Sequence, residues 1–277
     1  FLDANDFIEV ETPILQPIYG GANAKPFKTF HNTLDQNLYL RIADELYLKR
    51  LIVGGFEKVY EIGKNFRNEG MDKNHNPEFT MLEFYESYSE LNDMLIFTEQ
   101  LIKEVALNVI KSLKVDFNSN KIDFSKKFKK YEFYKILNNN SGQNFESMTR
   151  NDIYKLLLNK KVSIDKKINR EKLLDKAFGY FVEENLIDPT FIVNYPIELS
   201  PLAKKSLNND TTVERFELFI GGMEIANSFS ELNDPIDQRK RFEDQEKLRK
   251  DFGDDELDRL EEDFLVAIEH GMPPTGG

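Results

Sequence analysis

Phe66-Arg67-Asn68-Glu69-Gly70, a short polar loop, and then His75-Asn76-Pro77-Glu78-Phe79-Thr80-Met81-Leu82-Glu83-Phe84-Tyr85 form the stretch that decides this fold. An arginine leaves one strand, a loop turns back, and a second strand carries ionisable groups at alternate positions. Successive strand side chains face opposite ways, so Phe79, Met81, Glu83 and Tyr85 share one face and Thr80, Leu82 and Phe84 the other. A carboxylate and a phenol beside two apolar residues make a poor core face. They make a good pocket wall for a ligand with a cationic group and a flat ring. The pattern alone leaves open an ordinary hairpin whose Glu83 points to water.

Residues 59–66 read as the antiparallel partner of residues 79–88. Upstream, residues 8–12 form a strand that Pro13 ends or places at an edge, and residues 38–42 alternate as a second. Asp44 is an N-cap before the apolar spacing Leu46, Leu48, Leu51, Ile52, with Gly54-Gly55 as the stop. Downstream, residues 92–112 form an amphipathic helix with Leu95, Thr98, Ile102, Val105 and Val109 on one stripe. Residues of about 115–185 are polar, rich in Lys and Asn, and helical in pattern, with a loop signal at 138–142. They read as an insertion between two halves of one sheet. Strands return at 190–194 and 215–220. Gly221-Gly222 signals a tight hairpin leading into 223–230. Asp234-Pro235 opens a charged helix to about 252. A further helix runs from about 255 to 270, stopped by Gly271 with Pro273-Pro274 beyond. Strands broken by helices, without regular βαβ alternation, make this an α+β protein with a mostly antiparallel sheet flanked by helices and a helical insertion.

With 277 residues, 40% of them hydrophobic, the chain suffices for one large domain with an insertion. No run approaches about 18 apolar residues, so no transmembrane helix is expected. The absence of cysteine removes disulfides and thiolate metal sites, which fits the cytoplasm. His31, His75 and His270 lack zinc-ligand spacing. A net charge of −12 argues against a general polyanion-binding surface. The charge is uneven: 121–130 and 160–172 are lysine-rich and 251–263 is acidic, and such runs read first as solvated faces. Neither a Rossmann Gly-x-Gly-x-x-Gly nor a Walker loop occurs, so a nucleotide would be held by side chains.

The Asn-Glu-Gly after Arg67 and the run from His75 to Tyr85 resemble the second signature of class II aminoacyl-tRNA synthetases, in the form of the lysine-specific members. The resemblance extends to Gly20-Gly21-Ala22-Asn23-Ala24-Lys25-Pro26-Phe27 and to Leu38-Tyr39-Leu40-Arg41-Ile42-Ala43-Asp44-Glu45-Leu46-Tyr47-Leu48-Lys49-Arg50. It resumes at Tyr195-Pro196, Ser200-Pro201-Leu202-Ala203 and Glu214-Arg215-Phe216-Glu217-Leu218-Phe219. It closes with Glu224-Ile225-Ala226-Asn227-Ser228-Phe229-Ser230-Glu231-Leu232-Asn233-Asp234. It implies the class II synthetase catalytic fold and ATP-dependent activation of L-lysine, with transfer to tRNA(Lys). A stand-alone lysylase of elongation factor P and a non-catalytic synthetase-like binding protein are the alternatives.

The resemblance also implies roles. Arg67 is the catalytic residue, bridging the lysine carboxylate and the α-phosphate. Glu69, His75, Asn76 and Phe79 hold ATP, Phe79 by stacking. Glu217 and Glu224 bind ATP through Mg2+. Gly21 and Glu45 meet the α-ammonium of lysine, Tyr85 and Glu231 its ε-ammonium. Glu83, Asn227 and Phe229 line the same pocket. With a two-residue turn, Glu217 and Glu224 fall on one side of the hairpin, but strict alternation puts Asn227 on the other; a bulge near Ile225-Ala226 would reconcile this with the resemblance, which puts both Glu224 and Asn227 in the site. Phe1 falls inside what resembles the first, dimer-forming signature ending at Pro13, and Gly277 falls where the third should begin. The anticodon-binding domain and the second ATP-binding arginine are therefore expected outside this chain. A homodimer is expected of the intact protein and little activity of this piece alone.

Overall fold

The computed structural model describes residues 1–252 and 260–277. The first part of the helix expected at 255–270 lies outside the described residues. The chain folds as two compact units, residues 1–89 with 231–277, and residues 90–230.

The first unit opens with β1 (Ile8–Glu9), β2 (Leu15–Gln16), β3 (Lys28–His31) and β4 (Gln36–Leu40), then α1 (Glu45–Val53), β5 (Lys58–Phe66) and β6 (Glu78–Ser87). β1 is shorter than the strand expected at 8–12: Thr12 turns its backbone N–H and hydroxyl to the Glu61 carboxylate instead of a neighbouring strand. β5 and β6 pair antiparallel from Lys58↔Glu86 to Phe66↔Glu78, and β1 lies parallel on the far side of β5. On β6, Tyr85 is buried and Phe79, Met81 and Glu83 are half-buried, whereas Thr80 and Leu82 are exposed. Opposite them on the same face stand Val59, Glu61, Gly63 and Asn65. Arg41 crosses this face fully buried, paired to Glu61 at 2.7 Å and donating to the Lys64 carbonyl. A Cβ on Gly63 would lie 2.0 Å from the Arg41 guanidinium, so only glycine lets the arginine pass. Helix α1 begins at Asp44 and stops at Gly54-Gly55, with Gly55 at φ 100°. The Asp44 carboxylate makes no capping bond to the helix; it accepts from Asn65 at 3.3 Å instead.

The second unit begins with α2 (Leu91–Val109). Glu90 and Asp93 close a capping box at its start. Its buried face is Met94, Leu95, Thr98 and Ala106. Val105 and Val109 are exposed, contrary to the expected stripe, because the contact face is carried on by Ala106 at helical spacing. The insertion does not start as helix. β7 (Lys114–Phe117) and β8 (Asn120–Asp123) form a hairpin over Asn118-Ser119, both at positive φ, and β9 (Lys129–Glu132) follows. Val115, Phe117 and Ile122 supply a strand-like period that the lysines obscure. The helices are α3 (Phe133–Ser141), α4 (Arg150–Asn159) and α5 (Arg170–Phe181). The loop expected at 138–142 is the last turn of α3: Leu137 is core and Gly142 caps the end at φ 70°. Phe133, Leu137, Ile153, Leu157, Leu174 and Phe178 join α3–α5 in one buried cluster.

β10 (Thr190–Val193), β11 (Lys205–Ser206), β12 (Asn209–Val213), β13 (Arg215–Ile220) and β14 (Met223–Phe229) complete this unit. Its sheet runs β14-β13-β10-β9, with β9 parallel to β10 and the rest antiparallel. Gly221 and Gly222, at φ 66° and 76°, make the tight turn between β13 and β14.

The chain then returns to the first unit with α6 (Pro235–Phe252), α7 (Glu262–Glu269) and β15 (Thr275–Gly276). Gly271 stops α7 at φ 112°. β15 pairs antiparallel with β6, giving the order β1-β5-β6-β15. A strand therefore begins at Thr275, before the point where the sequence reading set the next one. Among the described residues the two largest sheets have four strands each, one in each unit, and smaller sheets are β2-β4-β3, β7-β8 and β11-β12; β9, taken with the insertion, is a member of the second unit's large sheet.

Candidate active site

The β5–β6 hairpin and α1 bring Glu45, Glu83 and Tyr85 together. Glu45 opens α1, and Gly21, at φ 89°, passes so close that a Cβ there would lie 3.2 Å from those of Ala43 and Glu45. Glu231 follows β14 in sequence, and its backbone N–H donates to the Thr275 carbonyl of β15, so the strand beside β6 holds it. Gly277 packs on the ring of Tyr85 with no room for a Cβ. Lys49 of α1 stands 2.5 Å from Glu45 and is ion-paired with Glu231. Lys49 is 0% and Glu231 1% exposed, so this is an interior ion cluster.

Tyr85 donates to Glu83 at 3.0 Å. Burial, then the charge of Glu83, pushes the Tyr85 phenol well up, so it remains a donor. Burial, then Asp44, pushes the Glu83 carboxyl well above the carboxylate range. Burial does the same to Glu231, while Lys49 draws it back. For Lys49 itself, burial disfavours the ammonium, but Glu231 and Glu45 more than offset it and the net direction is up. One Glu231 oxygen, Oε1, and one Asp44 oxygen, Oδ2, have no hydrogen-bond partner in the protein. The face is thus acidic, dry and already organised by one cation. Buried carboxylates in such number suit a ligand that brings ammonium groups.

A second group surrounds Arg67, at the end of β5. Its guanidinium lies 5.1 Å from the centre of the Phe79 ring and donates to the Ile42 carbonyl at 3.3 Å. Glu69 accepts from the Lys25 N–H at 3.3 Å, and the Asn68 N–H donates to the Lys25 carbonyl at 2.7 Å. These bonds tie the Asn-Glu-Gly loop to the 20–27 loop. His75 and Asn76 lie exposed in the turn, His75 against Asp72 at 2.8 Å and Asn76 donating to the Glu78 carbonyl. A cation over an aromatic ring, with polar loops beside it, fits a phosphate and a flat base.

In the second unit β13 and β14 carry the other candidates. Phe219 opposes Glu224, but Leu218 opposes Ala226, so Ile225 is an extra residue bulged from β14. The bulge expected from the sequence is present. It puts Glu224 and Asn227 on the side that carries Glu217 and Phe229. Arg215 organises that side. It pairs with Glu217 at 2.5 Å and donates to Asn227 at 2.9 Å and to the Leu199 carbonyl at 2.7 Å, and it stacks 4.7 Å from the Tyr195 ring centre. Tyr195 donates to Glu217 at 2.6 Å. Burial raises Glu217, with Arg215 opposing. Although exposed, Glu224 is crowded enough that desolvation, then the charge of Glu217, pushes its carboxyl upward.

Sequence reasoning passed over Lys49, Asp44 as a pocket acid, and Arg215. Lys49 had a legible signal: it is four residues from Glu45 and stands beside Leu48 in the buried face of its helix.

Over residues 1–277 the chain matches the family model for tRNA synthetases class II (D, K and N), and it belongs to that family. It is 51% identical to the lysine–tRNA ligase of Clostridium tetani, 50% to that of Methanoculleus marisnigri and 49% to that of Aquifex aeolicus, in each case over all of this chain. It covers 56%, 54% and 47% of those proteins, so it spans about half the length of the curated relatives it matches. Among the described residues no helix is long and apolar enough to cross a membrane.

Proposed function

We propose that this chain is the catalytic region of a lysine–tRNA ligase. It activates L-lysine with ATP and passes the lysyl group to tRNA(Lys). The observation that carries the reading is the acidic face of Glu45 and Glu231, both buried, with the half-buried Glu83, beside the Arg67–Phe79 pair. A substrate with two ammonium groups and one carboxylate needs carboxylates for both cationic ends and a cation at the third group. In this reading Glu45 with the Gly21 backbone takes the α-ammonium, and Glu231 with Tyr85 the ε-ammonium. Glu83 lines the pocket through its bond to Tyr85.

Activation forms a bond from a lysine carboxylate oxygen to the α-phosphorus of ATP and breaks the bond to pyrophosphate. The protein's share is alignment and charge stabilisation. The planar fork of Arg67 suits it to bridge the carboxylate and the α-phosphate. Phe79 supports the adenine from one face, with Glu69, His75 and Asn76 along the loops. Glu217 and Glu224 present hard oxygen donors on one face, a set that fits Mg2+ held by few carboxylates together with phosphates and water. Bound there, Mg2+ would neutralise phosphate charge. The resemblance to the lysine ligases also supports one catalytic domain with an insertion over about 115–185 that is helical from α3 to α5, a homodimer and work in the cytoplasm.

The test is lysine-dependent ATP–pyrophosphate exchange by the protein at its natural length, with ornithine as the shorter competitor. Exchange that lysine does not stimulate would end the reading.

A further inference from the structure

Lys49 is the group in the acidic face that the lysine reading does not use. Its helix is otherwise a core element: Leu46, Leu48 and Ile52 are buried beside it. A leucine at 49 would pack there without the cost of an interior ammonium. The ammonium instead meets Glu45 Oε1 at 2.5 Å and Glu231 Oε2, and lies 6.0 Å from the centre of the Tyr85 ring. Glu45 and Glu231 are the residues assigned above to the two ends of the substrate. Lys49 takes one oxygen from each, and Glu231 Oε1, fully buried, is left without a partner in the protein.

The charged and titratable groups facing Lys49 come from three directions. α1 brings Glu45, β6 brings Tyr85, and the segment after β14 brings Glu231, while Glu83 and Asp44 act on Tyr85. Arg50, next in the helix, is turned to Glu261 and adds no cation here. Lys49 is therefore the cation that organises this face before any ligand arrives.

We propose that Lys49 is a positioning residue of the lysine pocket, a built-in counter-ion that spans Glu45 and Glu231, favours their charged forms and aims them at the substrate's two ammonium groups. The proposal rests on the lysine reading of the site. Without Lys49, each carboxylate is desolvated with no compensating charge and holds a proton more tightly. Lysine must then displace that proton to bind, so the defect falls on binding and depends on pH. Lys49 touches neither the reacting carboxylate nor the phosphate, so turnover of bound lysine should change little.

The experiment is Lys49→Met in the protein at its natural length, assayed by lysine-dependent ATP–pyrophosphate exchange. The variant should raise the KM for lysine about tenfold or more at about pH 7, with kcat within about threefold and the KM for ATP unmoved. That deficit should shrink as the pH is raised from about 7 to about 9, because the carboxylates then ionise more fully without Lys49. An equal deficit at both pH values, or a fall in kcat alone, marks a merely structural lysine and overturns the proposal. Lys49→Met leaves buried carboxylates unpaired and can fail to fold, so Lys49→Met with Glu231→Gln is the second arm, its interior nearer neutrality. If Lys49 acts through Glu231, the double variant's KM for lysine stays within about threefold of that of Glu231→Gln alone. A much larger KM overturns the proposal. The wild type separates the two readings: no lysine-stimulated exchange there defeats the lysine assignment itself. Lysine-stimulated exchange with an unperturbed Lys49→Met defeats only the role of Lys49.

Discussion

Replacing Glu231 by glutamine tests the centre of the site with a change of one atom. Glutamine keeps the volume, so no cavity opens in a position that is 1% exposed. What is lost is one charge, with two consequences of different size. In the empty protein Lys49 loses one partner but keeps Glu45 at 2.5 Å. A broken buried pair commonly costs about 3–5 kcal/mol; with one carboxylate remaining the loss of stability should be about 1–2 kcal/mol. With lysine bound, the substrate ammonium loses its charge-assisted partner inside a dry face. Such a bond is worth about 1.5–3 kcal/mol, and the ammonium left behind is desolvated. The upper end applies here, about 3 kcal/mol, so kcat/KM for lysine should fall by about two orders of magnitude or more. Pyrophosphate exchange as a function of lysine concentration, with thermal unfolding of the same preparation, measures both consequences. A kcat/KM for lysine within about threefold of wild type, in a folded variant, would refute the placement of Glu231 at the ammonium.

Arg67→Lys keeps the charge but not the planar fork, so adenylate formation in a single turnover should slow strongly; a normal rate with only weaker lysine binding would remove Arg67 from the transition state. Gly63→Ala drives a methyl into the Arg41 guanidinium and should cost about 1–3 kcal/mol, read as a lower urea midpoint with unchanged slope. Burial, then the charge of Asp44, raises the Glu83 carboxyl well above its ordinary value. Its folded pKa lies above its unfolded one, so the folded state binds the extra proton and wild-type stability falls as pH rises above the unfolded value. Glu83→Gln removes that loss, so its melting temperature relative to wild type should climb between about pH 5 and about pH 8; a constant difference would show that Glu83 ionises normally.

Local regularities made much of this site legible. Alternation along β6 placed Phe79, Met81, Glu83 and Tyr85 on one face because strand geometry has a period of two, and the same arithmetic, failing at Asn227, called for the bulge that Ile225 provides. Glycines marked the end of α1 and the β13–β14 turn because few other residues adopt their φ. Where composition hid the pattern, as in the lysine-rich β7–β8 hairpin, the reading went to helix. On α2 the helix was correct and its face was not, since exposure of Val105 and Val109 depends on what packs against them, not on their own hydrophobicity. Tertiary structure alone decided the charge partnerships. Nothing near Lys49 in the sequence names Glu231; the two meet because β15 pairs with β6 and its Thr275 carbonyl holds the Glu231 backbone beside α1. Arg215 likewise gathers Glu217, Asn227 and the Leu199 carbonyl from three segments. Periodicity reports which way a side chain faces, whereas the energy of a buried charge depends on what distant segment faces it back.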